Sequence, residues 1–205
     1  VKRIVKKAEE RRQEIVSAAR ELFLEKSYDR TTMQDVMKKV EIAKGTIYHY
    51  FQSKEDLLEA VVQDTVDDYL TDVQDALDGV EGNALERMRV LVSAGRVADE
   101  QEETMEKLHR SGNIGMHTRQ LAVTITKLAP LYANVIEQGC QEGIFQVEHP
   151  LESAEFLLAG IQFLTDIGCY SWSQEELARR SLAIPTFLES LLHAKKGSFS
   201  FLLES

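Results

Sequence analysis

Between Ala43 and Asp56 the chain reads AKGTIYHYFQSKED. Lys44, Gly45, Thr46, Tyr48, His49 and Tyr50 fall within seven residues. An ammonium group can donate to guanine acceptors or to phosphate, and a threonine can hydrogen-bond or offer its methyl to thymine. A glycine lets backbone come close to a partner. Two phenols and an imidazole can pack on sugars and donate to phosphate. Ile47 and Phe51, four apart, share the opposite helical face and are assigned to a core. Lys54 adds a positive charge one helix further on, in a first turn that already favours anions. Thr32, at the start of an earlier helix, can approach the same partner from another side. The ordinary alternative is that Tyr48 and Tyr50 only cement a small domain.

Helices must position these groups. Ile15, Ala18, Ala19, Leu22 and Phe23 recur at helical spacing, predicting a helix over Glu9 to Lys26 that Ser27-Tyr28-Asp29 breaks. Thr32 followed by Asp35 reads as a capping box, so a second helix starts at Thr32 and stops near Val40. A turn at Glu41-Ile42 leads to a short helix ending near Phe51. Ser53 with Asp56 opens a long helix to about Leu77, which Gly79 and Gly82 end. Two short helices joined by three or four residues match a helix-turn-helix. Further helices are predicted over Asn83 to Glu100, Glu103 to Arg110, Thr118 to Gln141 with a bend at Pro130, Leu151 to Tyr170, and Ser173 to Lys195. The tail from Gly197, with Phe199, Phe201, Leu202 and Leu203, is either disordered or docked on an apolar surface. Strict apolar alternation is missing, so the expected class is all-α with about nine helices.

The net charge is −10 over 205 residues, but it is unevenly spread. Residues 1–58 carry 13 Lys+Arg against 10 Asp+Glu, leaving 11 against 24 for the rest. An acidic back half is repelled by phosphate, so contact with a nucleic acid must come from the front. Lys2, Arg3, Lys6, Lys7, Arg11 and Arg12 form a basic arm into the first helix, either a solvated face or a phosphate-seeking one. Cys140 and Cys169 lie in apolar-periodic segments, which suits free thiols in a reducing compartment. No apolar run approaches the length of a membrane span, and no signal peptide is visible. A cytoplasmic, nucleoid-associated protein is expected.

The stretch from about Glu14 to Val61 resembles the DNA-binding domain of the TetR family of bacterial transcriptional regulators. The resemblance rests on Ala18-Ala19…Leu22-Phe23, on Tyr28…Thr31-Thr32, and on Lys44-Gly45-Thr46-Ile47-Tyr48-His49-Tyr50-Phe51…Ser53-Lys54-Glu55-Asp56-Leu57-Leu58. One departure is Glu41, where the family usually has a small residue. The resemblance implies an N-terminal three-helix DNA-binding domain over residues 1–52 and a C-terminal ligand-binding and dimerisation domain over residues 53–205. It implies DNA contacts by Thr32, Lys44, Gly45, Thr46, Tyr48, His49, Tyr50 and Lys54. It further implies an intermolecular helical bundle, for which Phe156, Gly160, Phe163, Leu164, Ile184, Phe187, Leu188 and Leu191 are candidates. Pocket candidates by residue type are Met88, Met105, His109, Met116, His117, Tyr132 and Phe163, for each of which ordinary core packing is the better reading.

No H-E-x-x-H, G-x-S-x-G, C-x-x-C, P-loop or G-x-G-x-x-G pattern is present, so no enzyme, metal site or cofactor is expected. The expected partners are a double-stranded, palindromic DNA operator, a second copy of the chain and an unidentified small-molecule effector, with no membrane. Repression is the family default. The rival expectation is a DNA-associated protein-interaction factor of the cell-division type on the same scaffold, using an exposed apolar tail in place of an inducer.

Overall fold

The computed structural model describes residues 7–99, 113–166 and 170–203, with the side chains of 94–99 left aside. Among the described residues every regular element is helical: α1 (Ala8–Lys26), α2 (Met33–Val40), α3 (Lys44–Tyr50), α4 (Lys54–Asp78), α5 (Ala84–Asp99), α6 (Ile114–Gln141), α7 (Pro150–Thr165), α8 (Gln174–Leu191) and a 3-10 turn (Ser200–Leu203). The chain forms two compact units. Among the described residues the first comprises 7–67 and 113–120, the second 68–99, 121–166 and 170–203. The first unit takes in the start of α4 and the start of α6.

In the first unit, Ile15, Val16, Ala19, Leu22 and Phe23 of α1 are buried with Val36, Ile47, Phe51, Leu57, Leu58, Val61 and Val62. Local capping sets the helix starts. The Thr32 backbone N–H donates to Asp35 Oδ2 (2.9 Å), and Asp35 N–H returns a bond to Thr32 Oγ (3.2 Å). The Thr32 hydroxyl, donating to Oδ2 at 2.7 Å, then the Thr32 N–H and the Lys26 ammonium at 3.2 Å hold the Asp35 carboxyl down at about 2. Asp56 N–H donates to Ser53 Oγ (3.0 Å), as the second expected capping pair requires. Ion pairs Lys39–Glu21 (2.6 Å) and Arg20–Asp64 (3.8 Å) join α1 to α2 and α4.

The second unit is built on an apolar cluster that includes Val73, Leu77, Met88, Leu91, Leu128, Ile136, Phe145, Leu157, Leu188, Leu192 and Phe199. Helix α6 starts at Ile114, four residues before the expected Thr118, and runs through Gly115 and Pro130 without a break. Glycine's penalty in a helix is one of backbone entropy, about 1 kcal/mol relative to alanine, which a helix of 28 residues can absorb. Glu142, near the end of α6, accepts from the Ala84 N–H (2.9 Å) and so caps α5 across 58 residues; that bond is the main reason its carboxyl lies below the usual range. Helix α7 ends at Thr165, short of the expected Tyr170, and α8 ends at Leu191, short of Lys195.

The tail is docked. Phe199 is fully buried, stacks near-parallel to Phe145 (14°, centroids 6.1 Å apart) and brings Leu202 with it. Glu189 Oε1 accepts from the N–H of Gly197 (2.7 Å) and of Phe199 (3.3 Å). The Arg89 guanidinium lies 4.8 Å from the Phe201 ring centroid. The helix expected over Glu103 to Arg110, and Lys2, Arg3, Lys6, Met105, His109, Gly168 and Cys169, lie outside the described residues.

Candidate nucleic-acid interface

Helix α3 is two turns long and has two unlike faces. Ile47 is fully buried and Phe51, its C-terminal cap, is 1% exposed. Lys44, Gly45, Tyr48 and His49 are exposed, and Thr46 and Tyr50 are half-buried at the edges. Tyr48 is a large side chain left 41% open to solvent. A Cβ placed on Gly45 would meet nothing within 4 Å, so nothing inside the unit requires glycine there. What glycine leaves is a bare strip of backbone beside Lys44, suited to close approach by an outside partner. The Lys44 ammonium lies 5.7 Å from the Tyr48 ring centroid, and His49 meets Tyr50 edge-on at 5.2 Å. Four of the six residues named on this helix, Lys44, Gly45, Tyr48 and His49, therefore lie on its outer surface with Thr46 and Tyr50 at the edges, while the two assigned to the core are in it.

The helix is held to its neighbour by a tight turn. Glu41 caps α2 in the left-handed conformation (φ 55°, ψ 45°) and its N–H reaches Met37 O. Only glycine adopts such angles without steric cost, which explains why Glu41 stood out in the sequence. The Arg12 guanidinium sits 5.3 Å from the Phe51 ring centroid, so one member of the basic arm lies at the C-terminal end of α3. Arg11 is engaged with Glu14 at 2.6 Å.

Lys54 and Thr32 have partners of their own. The Lys54 ammonium donates to the backbone carbonyls of Tyr28 (3.0 Å) and Thr31 (3.2 Å) and lies 4.1 Å from the Tyr28 ring centroid. Its place is on the α1–α2 turn, which it braces. The Thr32 hydroxyl donates to Asp35 Oδ2 at 2.7 Å, so the α2 N-terminus already carries a carboxylate. The Tyr28 phenol is pushed up, first by burial and then by Glu55.

The expected pocket residues that are described fall in both units. Met116 and His117 are buried in the first unit. Met88, Tyr132 and Phe163 belong to the second unit, where Met88 is 2% exposed inside the apolar cluster and Tyr132 packs against it. Burial, with Tyr69 close by, drives the Tyr132 phenol above its ordinary range. The expected bundle residues divide in two. Phe156 (71%), Leu164 (51%) and Phe187 (66%) are exposed apolar side chains on α7 and α8, with Gly160 and Phe163 half-buried beside them. Leu188 is buried in the chain's own core, and Ile184 and Leu191 pack against that core, so these three face inward. Leu182 of α8 is also 64% exposed, but five residues from Phe187 it lies about 140° round the helix, on a different face.

A tight turn between two short helices, the second with a buried hydrophobic half and an exposed Lys-Gly-Tyr-His half, has the form of a helix-turn-helix. Residues 15–61 match the family model for bacterial regulatory proteins of the tetR family, and residues 96–187 match that for the tetracyclin repressor-like C-terminal domain. The chain belongs to the TetR family. It is 35% identical over 75 residues to the HTH-type transcriptional regulator HbdR of Aromatoleum sp. strain CIB, spanning 37% of this chain but only 33% of that one. It is 24% identical over 148 residues to the HTH-type transcriptional repressor KstR2 of Mycobacterium tuberculosis, covering 70% of this chain and 74% of that one. A solved Syntrophomonas wolfei structure assigned to the family aligns over 92% of this chain and 97% of its own with a TM-score of 0.63 and 25% identity. No helix among the described residues is long and apolar enough to cross a membrane.

Proposed function

We propose that the protein is a ligand-responsive regulator that binds a palindromic DNA operator as a homodimer and represses transcription. The observation that carries this reading is the outward face of α3: Lys44, Gly45, Tyr48 and His49 are open to solvent on a helix whose other face is anchored by Ile47 and Phe51. Residues near the start of such a helix read base edges in the major groove, and flanking side chains reach phosphates. Two-fold pairing through Phe156, Leu164 and Phe187 would set two copies of α3 on successive major grooves, about 34–36 Å apart. An effector held in the C-terminal domain would change that separation. Such coupling is worth about 1–3 kcal/mol.

The test is a titration of the purified protein against duplexes from the regions flanking its own gene, at several salt concentrations. Saturable binding to one fragment with a steep salt slope, weakened by Lys44→Ala and by Tyr48→Ala, supports the reading. Weak binding that ignores sequence and both substitutions removes it. The interaction-factor alternative drew on an exposed apolar tail. With Phe199 and Leu202 buried, the apolar part of the tail left most open to a partner is Leu203, which favours the regulator reading.

A further inference from the structure

The turn between α1 and α2 is held in a conformation that its own residues disfavour. Ser27, which ends α1, has φ 76° and ψ 154°, a region otherwise left almost entirely to glycine. Ser27 is 7% exposed. Such a residue persists only where its surroundings over-determine it. Within the N-terminal stretch, Thr31 contributes by donating its N–H (3.2 Å) and its hydroxyl (2.8 Å) to the Ser27 carbonyl. Lys54 grips the Tyr28 carbonyl from α4.

A further grip comes from far along the chain. Asn113 is fully buried in the first unit, immediately before α6. Its Oδ1 accepts from the Tyr28 N–H at 2.6 Å, and its Nδ2 donates to the Phe23 carbonyl at 3.2 Å. One side-chain amide thus joins the last turn of α1 to the first peptide after Ser27, satisfying a donor and an acceptor that are otherwise costly to bury. The Tyr28 ring meets Phe23 edge-on at 5.2 Å, which fixes the same corner from the apolar side. No motif in the sequence announces this role, and neither family match assigns one to Asn113.

We infer that Asn113 is a positioning residue for operator reading: it holds the strained Ser27–Tyr28 peptide, and through it the angle at which α2 and α3 leave α1. This rests on the DNA-binding reading above. Removing the amide frees the Tyr28 N–H and the Phe23 carbonyl and lets Ser27 relax toward negative φ. Because α2 begins six residues after Ser27, that relaxation swings the recognition helix. Groove register suffers, whereas attraction to phosphate, which depends on charge more than angle, does not.

The experiment compares wild type, Asn113→Ala and the double variant Asn113→Ala/Ser27→Gly on two duplexes of equal length. One is selected by the wild-type protein from a random-sequence pool; the other is an unrelated sequence. For Asn113→Ala, binding to the selected duplex is expected to weaken about tenfold, within the usual range of coupling between sites, while the unrelated duplex changes less than about twofold. Glycine at position 27 accepts the native angles without help, so the double variant is expected to recover at least about threefold. Unchanged affinity in Asn113→Ala, or equal losses on both duplexes with no recovery by Ser27→Gly, overturns the inference. A wild type that selects no sequence removes the regulator reading instead. Amide exchange then decides on the clamp alone: faster exchange throughout residues 44–51 in Asn113→Ala supports it, and a change confined to Tyr28 overturns it. Should Asn113→Ala not fold, the Ser27→Gly background carries the same comparison, with and without Asn113.

Discussion

The two compact units solve different problems with different residues. The first separates its tasks cleanly: α3 turns Ile47 and Phe51 inward and Lys44, Gly45, Tyr48 and His49 outward. Its less favourable backbone at Ser27 is held in place by polar groups such as Lys54, Asn113 and Thr31. The second unit uses one residue type for both tasks. Leucine, phenylalanine and methionine fill its core, and phenylalanine and leucine also form its exposed stripe on α7 and α8. Residue type therefore announces the outer surface of the first unit and stays silent about that of the second. There, only the phase of the helix decides between Phe187, outside, and Leu188, inside.

The contrast can be broken most severely in the second unit. Phe199→Ala removes a fully buried ring that stacks on Phe145. Its loss is expected to cost about 3–5 kcal/mol, read as a fall in the urea midpoint, with affinity for DNA unchanged while the protein stays folded. If DNA binding fell in step, the division of tasks between the units would be wrong. Gly139→Ala tests the same packing from below, since a Cβ there would collide with the Phe145 ring. A cost of about 1–3 kcal/mol is expected in the same denaturation experiment.

Within the first unit the expected effects are smaller and fall on binding before stability. Lys44→Ala should weaken operator binding by about 1–2 kcal/mol and reduce the salt slope by about one, measured by titration across salt concentrations. A loss of stability with no change in salt slope would return Lys44 to a structural role. Asp35 makes the capping of α2 sensitive to acid. Its folded-state value, about 2, lies below the unfolded 3.8. Its contribution is therefore complete above the unfolded value and is lost as pH falls through the folded one. Thermal melts between about pH 4 and 2 should show a steeper loss for wild type than for Asp35→Asn. The smallest effect is expected at Glu41, where glycine relieves the left-handed cost (φ 55°). Glu41→Gly should stabilise by about 0.5–1 kcal/mol, seen as a rise in Tm.

Most of the first unit was legible in the sequence because its signals are local. Thr32 with Asp35 and Ser53 with Asp56 mark helix starts through bonds only three residues long. The four-residue step from Ile47 to Phe51 fixes which face of α3 is buried. The start of α6 was misread for the same reason: Gly112 and Gly115 look like breakers locally, yet Gly115 lies inside the helix. For Leu188, Ile184 and Leu191, all packed on the chain's own apolar cluster, apolar type alone does not say which apolar neighbour a side chain will meet.

The amino-acid sequence by itself determined the all-helical class, the helix-turn-helix and the outward chemistry of α3, since caps and helical periodicity act over a few residues. Only the tertiary structure decided that the Lys54 ammonium is bound by the carbonyls of Tyr28 and Thr31. It alone brought Asn113 within 2.6 Å of the Tyr28 nitrogen, 85 residues away. It alone set Phe199 against Phe145 and so docked the tail. Each of these depends on a polar or aromatic group finding the one partner that burial leaves it, and that partner is chosen by how distant helices pack, which no short-range pattern records.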